Sequence, residues 1–418
     1  MKKIAIIGSG ISGMTAAHCL REKYDVTLFE KNEYIGGHTA TIDVEWKGES
    51  VAVDTGFIVY NDRTYPLFRK LMKRIGIEGQ ETQMSFSVRN MESGLEYNGH
   101  TFATLFAQKR NLLSPKFWKL LKDIIRFNTL CKEMYSTDEF GGMSTLGELL
   151  DKHRFNDFFQ RHYILPMGAA IWSTSLNAMA KFELAFFIRF FYNHGLLDIT
   201  NRPQWYVIPG GSKQYIEPLL GELKNKVELN STIEAVTRTN EGVKLTFVNG
   251  VVRSFDHVVF ACHSDEALNL LGDPTQEEKS ILQGIPYTKN SVVLHTDIGM
   301  LPKRKKAWAS WNYQLSPDLD APASVTYQMN ILQGLKTKEQ FCVTLNGESA
   351  IDKSKIIRTF SYSHPVFNKQ SLLAQSRRSE INGQQNTFYC GAYWYNGFHE
   401  DGVRSAVDVA LLLGVDFE

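Results

Sequence analysis

The first thirty residues limit what this chain can become more than any other stretch. An apolar run begins at Ile4, glycines stand at positions 8, 10 and 13, a helix-like stretch reaches Leu20, and a second apolar run from Asp25 ends at Glu30. Strand, glycine turn, helix, strand and terminal acid in that order form the unit that holds the ADP half of a dinucleotide. Gly8 permits the tight turn, Gly10 lets backbone approach a pyrophosphate, and Gly13 lets the helix lie close to the strand. Ser9, Ile11 and Ser12 share the turn, so the expected phosphate contacts run over Gly8, Ser9, Gly10, Ile11, Ser12 and Gly13. The helix N-terminus offers them free N–H groups and the positive end of its dipole. Glu30, with Lys31 beside it, is placed to accept from a ribose hydroxyl. A 2′-phosphate would meet that carboxylate, which disfavours an NADP-type ligand.

Later segments separate FAD from NAD. Gly36-Gly37-His38-Thr39 follows shortly after Glu30, and Asp54-Thr55-Gly56 ends the next apolar strand. Paired glycines free further backbone N–H groups for phosphate or flavin. NAD dehydrogenases do not usually carry this second cluster, whereas proteins holding an extended FAD do. The runs 227–236 and 243–248, the Asn249-Gly250 hairpin signal and the run from His257 to Ala261 can complete a discontinuous cofactor domain, with Ile233 or Val236 near adenine. At the C-terminus, Gly391, Gly397, Phe398, His399 and Glu400 lead into a helix expected from Val403 to about Leu413. Its N-terminus, aimed at a flavin pyrimidine, would stabilise negative charge on the reduced ring. Tyr393, Trp394 and Tyr395 are candidates for an aromatic wall, and Tyr395 and His399 for the catalytic groups.

Composition narrows the partners. Net charge is +1, so no global field recruits nucleic acid. Five cysteines are scattered without a C-x-x-C pair, which fits a reducing, cytoplasmic setting without structural disulfides. No metal-ligand spacing, nucleophilic triad or run of membrane-spanning length stands out. Aromatics at 12% imply a large apolar interior or an apolar ligand.

The remainder reads as a substrate domain. Residues 80–205 are expected to be largely helical. Ser114-Pro115 starts one helix, in which Phe117, Leu120, Leu121, Ile124 and Phe127 share a face opposite Lys119, Lys122 and Arg126. With Trp118 it reads either as an ordinary surface helix or as one that lies in a membrane interface. The run 182–192 is apolar nearly all round, suiting a buried helix or the lining of a tunnel for a long apolar substrate. Residues 290–355 look strand-rich. Lys303-Arg304-Lys305-Lys306, with Trp308 and Trp311, is a basic aromatic loop, either solvated or touching anionic lipid.

Together these segments resemble the monoamine oxidase and phytoene desaturase superfamily of FAD proteins. The stretch 201–212 and Gly397-Phe398-His399-Glu400-Asp401-Gly402 resemble a narrower branch of FAD/NAD-binding oxidoreductases, often found alongside cyclopropane-fatty-acid-synthase-like methyltransferases. The resemblance implies an α/β fold: a discontinuous Rossmann-like FAD-binding domain (1–79, 206–288 and 356–418) and a second mixed α+β substrate domain (80–205 and 289–355). It implies non-covalent FAD, since no matching cysteine segment is present. FAD would be held by Gly8–Gly13, Glu30, Lys31, Gly36–Thr39, Thr55, Gly56, Ile233, Ala261, Gly391 and 397–400. It implies hydride transfer between flavin N5 and a small hydrophobic or acyl substrate, with no metal and an unassigned electron acceptor. A flavin-dependent isomerase of an unsaturated lipid and a non-catalytic flavoprotein stay open beside it.

Overall fold

The computed structural model describes residues 1–417. A five-stranded parallel sheet runs in the spatial order Val227–Glu228, Asp25–Phe29, Lys3–Ile7, His257–Phe260, Thr387–Tyr389. Side chains alternate across the first strand. Ile4 and Ile6 pack on the helical side with Met14 and Val403, and Ala5 and Ile7 pack on the other side with Phe29, Val243 and Val258. Both faces are therefore covered, as parallel strands require. The helix Ile11–Leu20 is buried along its whole length and packs against the C-terminal helix His399–Leu412.

The opposite face carries an antiparallel meander, Ile233–Thr239, Gly242–Phe247 and Val252–Phe255. Arg238 pins it. Its guanidinium donates to both oxygens of Glu278 at 2.8 and 2.9 Å, and Tyr389 donates its hydroxyl to Glu278 at 2.6 Å. Both charges are buried, so removing one partner would cost about 3–5 kcal/mol.

The second sheet has seven strands in the order Ile356–Pro365, Tyr287–His295, Cys342–Leu345, Ser324–Gln328, Trp311–Leu315, Phe86–Asn90, Glu96–Asn98. All neighbours are antiparallel except Trp311–Leu315 with Phe86–Asn90. One face, through Val88, Tyr313, Leu315 and Val325, packs on a helical layer that includes Pro115–Thr137, Leu165–Trp172 and Leu184–Asn193. The other face, through Leu294, Val343 and Leu345, packs near the hairpin Thr41–Trp46 and Glu49–Asp54.

Three expectations change. Residues 356–365, grouped by expectation with the FAD-binding segments, pair along Tyr287–His295 in the second sheet. The stretch 80–205 also contains two strands of the second sheet, Phe86–Asn90 and Glu96–Asn98. The last helix starts at His399, one residue before the expected N-terminus around Glu400 to Gly402, because its polar first turn carries no apolar period to read. The helix after Ser114 does form, capped by the Ser114 hydroxyl, and runs to Thr137. The aromatic helix Leu184–Asn193 is capped by Glu183. Among the described residues no helix is long and apolar enough to cross a membrane.

Candidate functional site

The glycine turn lies at the C-terminal edge of the parallel sheet, where open α/β sheets place their ligands. Gly8 has φ +106°, and a Cβ there would stand 2.9 Å from the Ala261 carbonyl oxygen. A Cβ on Gly13 would lie 1.9 Å from the Gly8 carbonyl oxygen. Around Gly10, by contrast, a Cβ would meet nothing within 4 Å. Two glycines are thus fixed by close packing, and the middle one faces open space. The first intrahelical bond runs from Met14 N–H to the Gly10 carbonyl, so the N–H groups of Ile11, Ser12 and Gly13 precede the hydrogen-bond ladder.

The second glycine cluster meets the first. Gly10 and Gly36 form a bridge, and a Cβ on Gly37, which has φ +58°, would lie 3.3 Å from the Gly10 Cα. Ser9 joins them: its N–H and hydroxyl donate to Glu30 at 3.0 and 2.6 Å, and its oxygen accepts from Gly36 N–H. The other Glu30 oxygen accepts from Asn32 N–H and side-chain amide. Glu30 therefore ties the two turns together in addition to lying where a ribose would come.

Thr55, Gly56 and Phe57 lie against His38, Thr39 and Ala40. Thr55 N–H donates to the Ala40 carbonyl and Phe57 N–H to that of His38. The Thr55 hydroxyl is 3.0 Å from that of Tyr362, in the second sheet. Asp54, beside it, accepts from Thr41 and from the backbone and side chain of Ser212, anchoring the loop Gly210-Gly211. Burial raises its carboxyl to about 6, against the pull of those donors.

Three imidazoles stand next to the turn. The His38 ring centroid is 5.5 Å from that of His364, 6.1 Å from that of His263 and 5.1 Å from that of Tyr362. His263 stacks on Tyr287 at 4.4 Å. Burial, with repulsion among the rings, lowers His38 to about 3 and His364 to about 4, and His263 is lowered by burial as well. All three are neutral at ordinary pH, and His38 Nε2 is buried without a hydrogen-bond partner. His263 and His364 escaped the sequence reading. His263 follows the strand His257–Phe260 at its C-terminal edge, which was the available signal; His364 arrives from the other sheet and carried none.

The C-terminal segment closes the same region. A Cβ on Gly402 would lie 2.7 Å from Ile11, and Gly391 N–H donates to Ser405. His399 stacks on Phe57 at 3.6 Å, with Nε2 3.0 Å from the Tyr215 hydroxyl and 3.2 Å from that of Thr39. N-terminal, middle and C-terminal segments thus meet at one place.

Several expected roles change here. Burial, and then His38, hold His399 well below the usual histidine range, and its ring packs flat on Phe57. Tyr395 donates to Asp408 at 2.6 Å and lies under the Arg404 guanidinium. Glu400 accepts from Leu67 and Phe68 N–H and caps the helix Pro66–Arg74, so its side chain is already spent. Phe398 packs with Phe190 and His194 of the helical layer. Ala261 backs the Gly8 turn, Ile233 is buried in the meander core, and Lys31 pairs with Glu266 on the surface. Tyr393 and Trp394 are buried together behind Gly391.

Between the helical layer and this junction lies a cavity of about 680 Å³. Tyr65, Leu67, Leu197 and Phe398 give it apolar wall, and Arg63, Lys132 and Arg404 give it cations. Asp401 lines it too, raised to about 7 by burial against hydrogen bonds from Phe398 N–H and Asn396.

Open backbone at Gly10, unladdered N–H groups at 11–13, a second glycine turn against the first and a carboxylate at the ribose position fit an extended dinucleotide. A family model described as flavin containing amine oxidoreductase matches residues 11–297, well over half the chain. The chain belongs to that family of FAD proteins, and FAD is its cofactor. The flavin-containing amine oxidase A of Sus scrofa is 22% identical over 339 residues, covering 78% of this chain and 62% of that protein's length. The chain thus spans less than two thirds of such relatives. Among solved structures, the CLA-producing fatty acid isomerase from P. acnes matches with TM-score 0.72 at 15% identity over 98% of both chains. Wild-type putrescine oxidase bound to putrescine matches with TM-score 0.70 at 13% identity, again over 98% of both. At such identities these two likenesses speak to fold alone.

Proposed function

We propose that this protein is an FAD-dependent oxidoreductase acting on a hydrophobic substrate, such as a fatty acyl chain, with FAD held non-covalently. When bound, FAD supplies the acceptor, at flavin N5, for a hydride from a substrate C–H. The chain's own part is positional. The residues 8–13 and 36–37 would hold the diphosphate, and His38, His263 and His364 would flank the cofactor without adding charge. The first turn of His399–Leu412 would offer its N–H groups to the cofactor at this junction.

One observation carries the choice of substrate. Phe186 stacks on Phe367 at 5.5 Å, and Phe190 on Phe398 at 5.3 Å, so aromatic packing runs from the helical layer to the segment just before His399, where Phe398 borders the cavity. The cavity beside it is of ordinary ligand size and apolar in part; its cations Arg63, Lys132 and Arg404 stand among the carboxylates Asp198, Glu400 and Asp401, with Arg63 and Lys132 both paired to Asp198.

Anaerobic mixing with a long-chain unsaturated fatty acid should bleach the oxidised flavin band, and putrescine should leave it unchanged. Bleaching by the amine alone would reverse the substrate assignment. The full-length likeness to a fatty acid isomerase favours a second reading, in which a double bond moves without net electron transfer. Product formed with no electron acceptor present would select it. Protein purified without any bound flavin would sink both.

A further inference from the structure

The charge of the chain is nearly balanced, at +1, yet one surface is not. Between Gly99 and Arg126 stand Lys109, Arg110, Lys116, Lys119, Lys122 and Arg126, against a single carboxylate, Asp123. Asp123 is buried. The exposed carboxylate at the rim is Glu92, on the turn whose carbonyls Arg110 binds.

Large apolar side chains project among these cations. Leu113 is 88% exposed, Phe102 69%, Trp118 47% and Leu112 43%. They form one connected surface. Phe102 packs on Phe106 at 4.8 Å, Phe106 packs on Trp118 at 5.4 Å, and the Trp118 indole N–H donates to the Leu112 carbonyl at 2.8 Å. Ile125, also exposed, lies two turns further along the face of Trp118 and Lys122. The short helix Phe102–Leu105 packs beside the turn Lys305–Ala307, which brings exposed Lys303, Arg304, Lys305 and Lys306 to the same surface. Glu96, beneath that loop, is buried and already accepts from Lys303 N–H and Arg304 N–H. Trp308 and Trp311 take no part: Trp308 donates inward to Pro302, and Trp311 packs on Tyr327.

We propose that this surface docks the protein on a bilayer containing anionic lipid. Phe102, Leu112, Leu113 and Trp118 enter the headgroup region, and the ring of lysines and arginines meets lipid phosphates. Both signals are needed, because either a few apolar side chains or a few cations alone holds a protein to a membrane only weakly. A contiguous exposed apolar patch is uncommon on a monomer without a partner. Here the surrounding charge specifies an anionic one, and the exposed basic face of a helix with tryptophan and leucine at its start is the form that lies in a lipid interface.

The test is flotation of the FAD-loaded protein with vesicles of phosphatidylcholine, alone or mixed with phosphatidylglycerol. The protein should float with the mixed vesicles, remain behind with the zwitterionic ones, and be released by salt. A Phe102→Asp/Leu113→Asp variant and a Lys119→Glu/Lys122→Glu variant should each lower the bound fraction about tenfold or more. Both should keep the flavin spectrum, since these side chains face solvent. Equal flotation of wild type and variants would overturn the proposal. So would binding to polyglutamate without binding to anionic vesicles. Neither outcome bears on turnover, so the docking surface stands or falls apart from the proposed reaction.

Discussion

The glycine cradle and the aromatic lobe solve opposite problems. In the cradle, function depends on side chains that are missing: Gly8 and Gly13 have no room for a Cβ, and Gly10 leaves its space open. In the lobe, Phe127, Phe159, Phe187 and Phe191 are fully buried and order comes from filling volume. Backbone sites fail when one atom is added; packed cores fail when atoms are removed.

The largest effect should follow Gly13→Ala. The new Cβ cannot share space with the Gly8 carbonyl, so the purified protein should carry no flavin absorbance. Retention of a full flavin complement would mean the turn is far softer than the lobe.

Phe187→Ala is the counterpart. It should destabilise by about 3–5 kcal/mol in denaturant unfolding while flavin is retained, because the loss is volume in the lobe. Loss of flavin at unchanged stability would show the two regions to be coupled more tightly than their separate cores suggest.

Acid should come next. His38, His194, His263, His295, His364 and His399 are all held below their ordinary range by burial. The folded state therefore binds fewer protons than the unfolded chain below about pH 6.5, and stability falls as pH drops through that value. Asp54 and Asp401 act in the opposite sense, since their raised carboxyls gain stability as pH falls, and they offset part of the loss. The thermal midpoint should drop between about pH 7 and 5.5, and His38→Asn/His364→Asn should flatten the drop by about 1–2 kcal/mol. An unchanged slope would remove these rings from the account.

The smallest effect belongs to Tyr395→Phe. It removes one hydrogen bond to Asp408, about 1 kcal/mol, and should leave turnover unchanged. A tenfold fall in kcat would return Tyr395 to the reacting centre.

The backbone part of the site was readable from spacing, because glycine positions report a backbone requirement directly. Gly8, Gly10, Gly13, Glu30 and the pair 36–37 all lie at one junction. The direction of a side chain was not readable. Glu400 turned to cap another helix, His399 turned onto Phe57, and Tyr395 turned to Asp408. Each choice depends on a neighbour more than ten residues away in sequence. The same holds for 356–365, whose partner strand Tyr287–His295 is distant in sequence.

By itself the sequence determined that strand, glycine turn, helix and acid must build a dinucleotide cradle, because steric exclusion and free N–H groups act over a few residues. Tertiary structure alone decided that three imidazoles from three segments would stand beside it. It also decided that Phe102, Leu113 and Trp118 would share one basic surface, because proximity between distant segments is set by how whole layers pack.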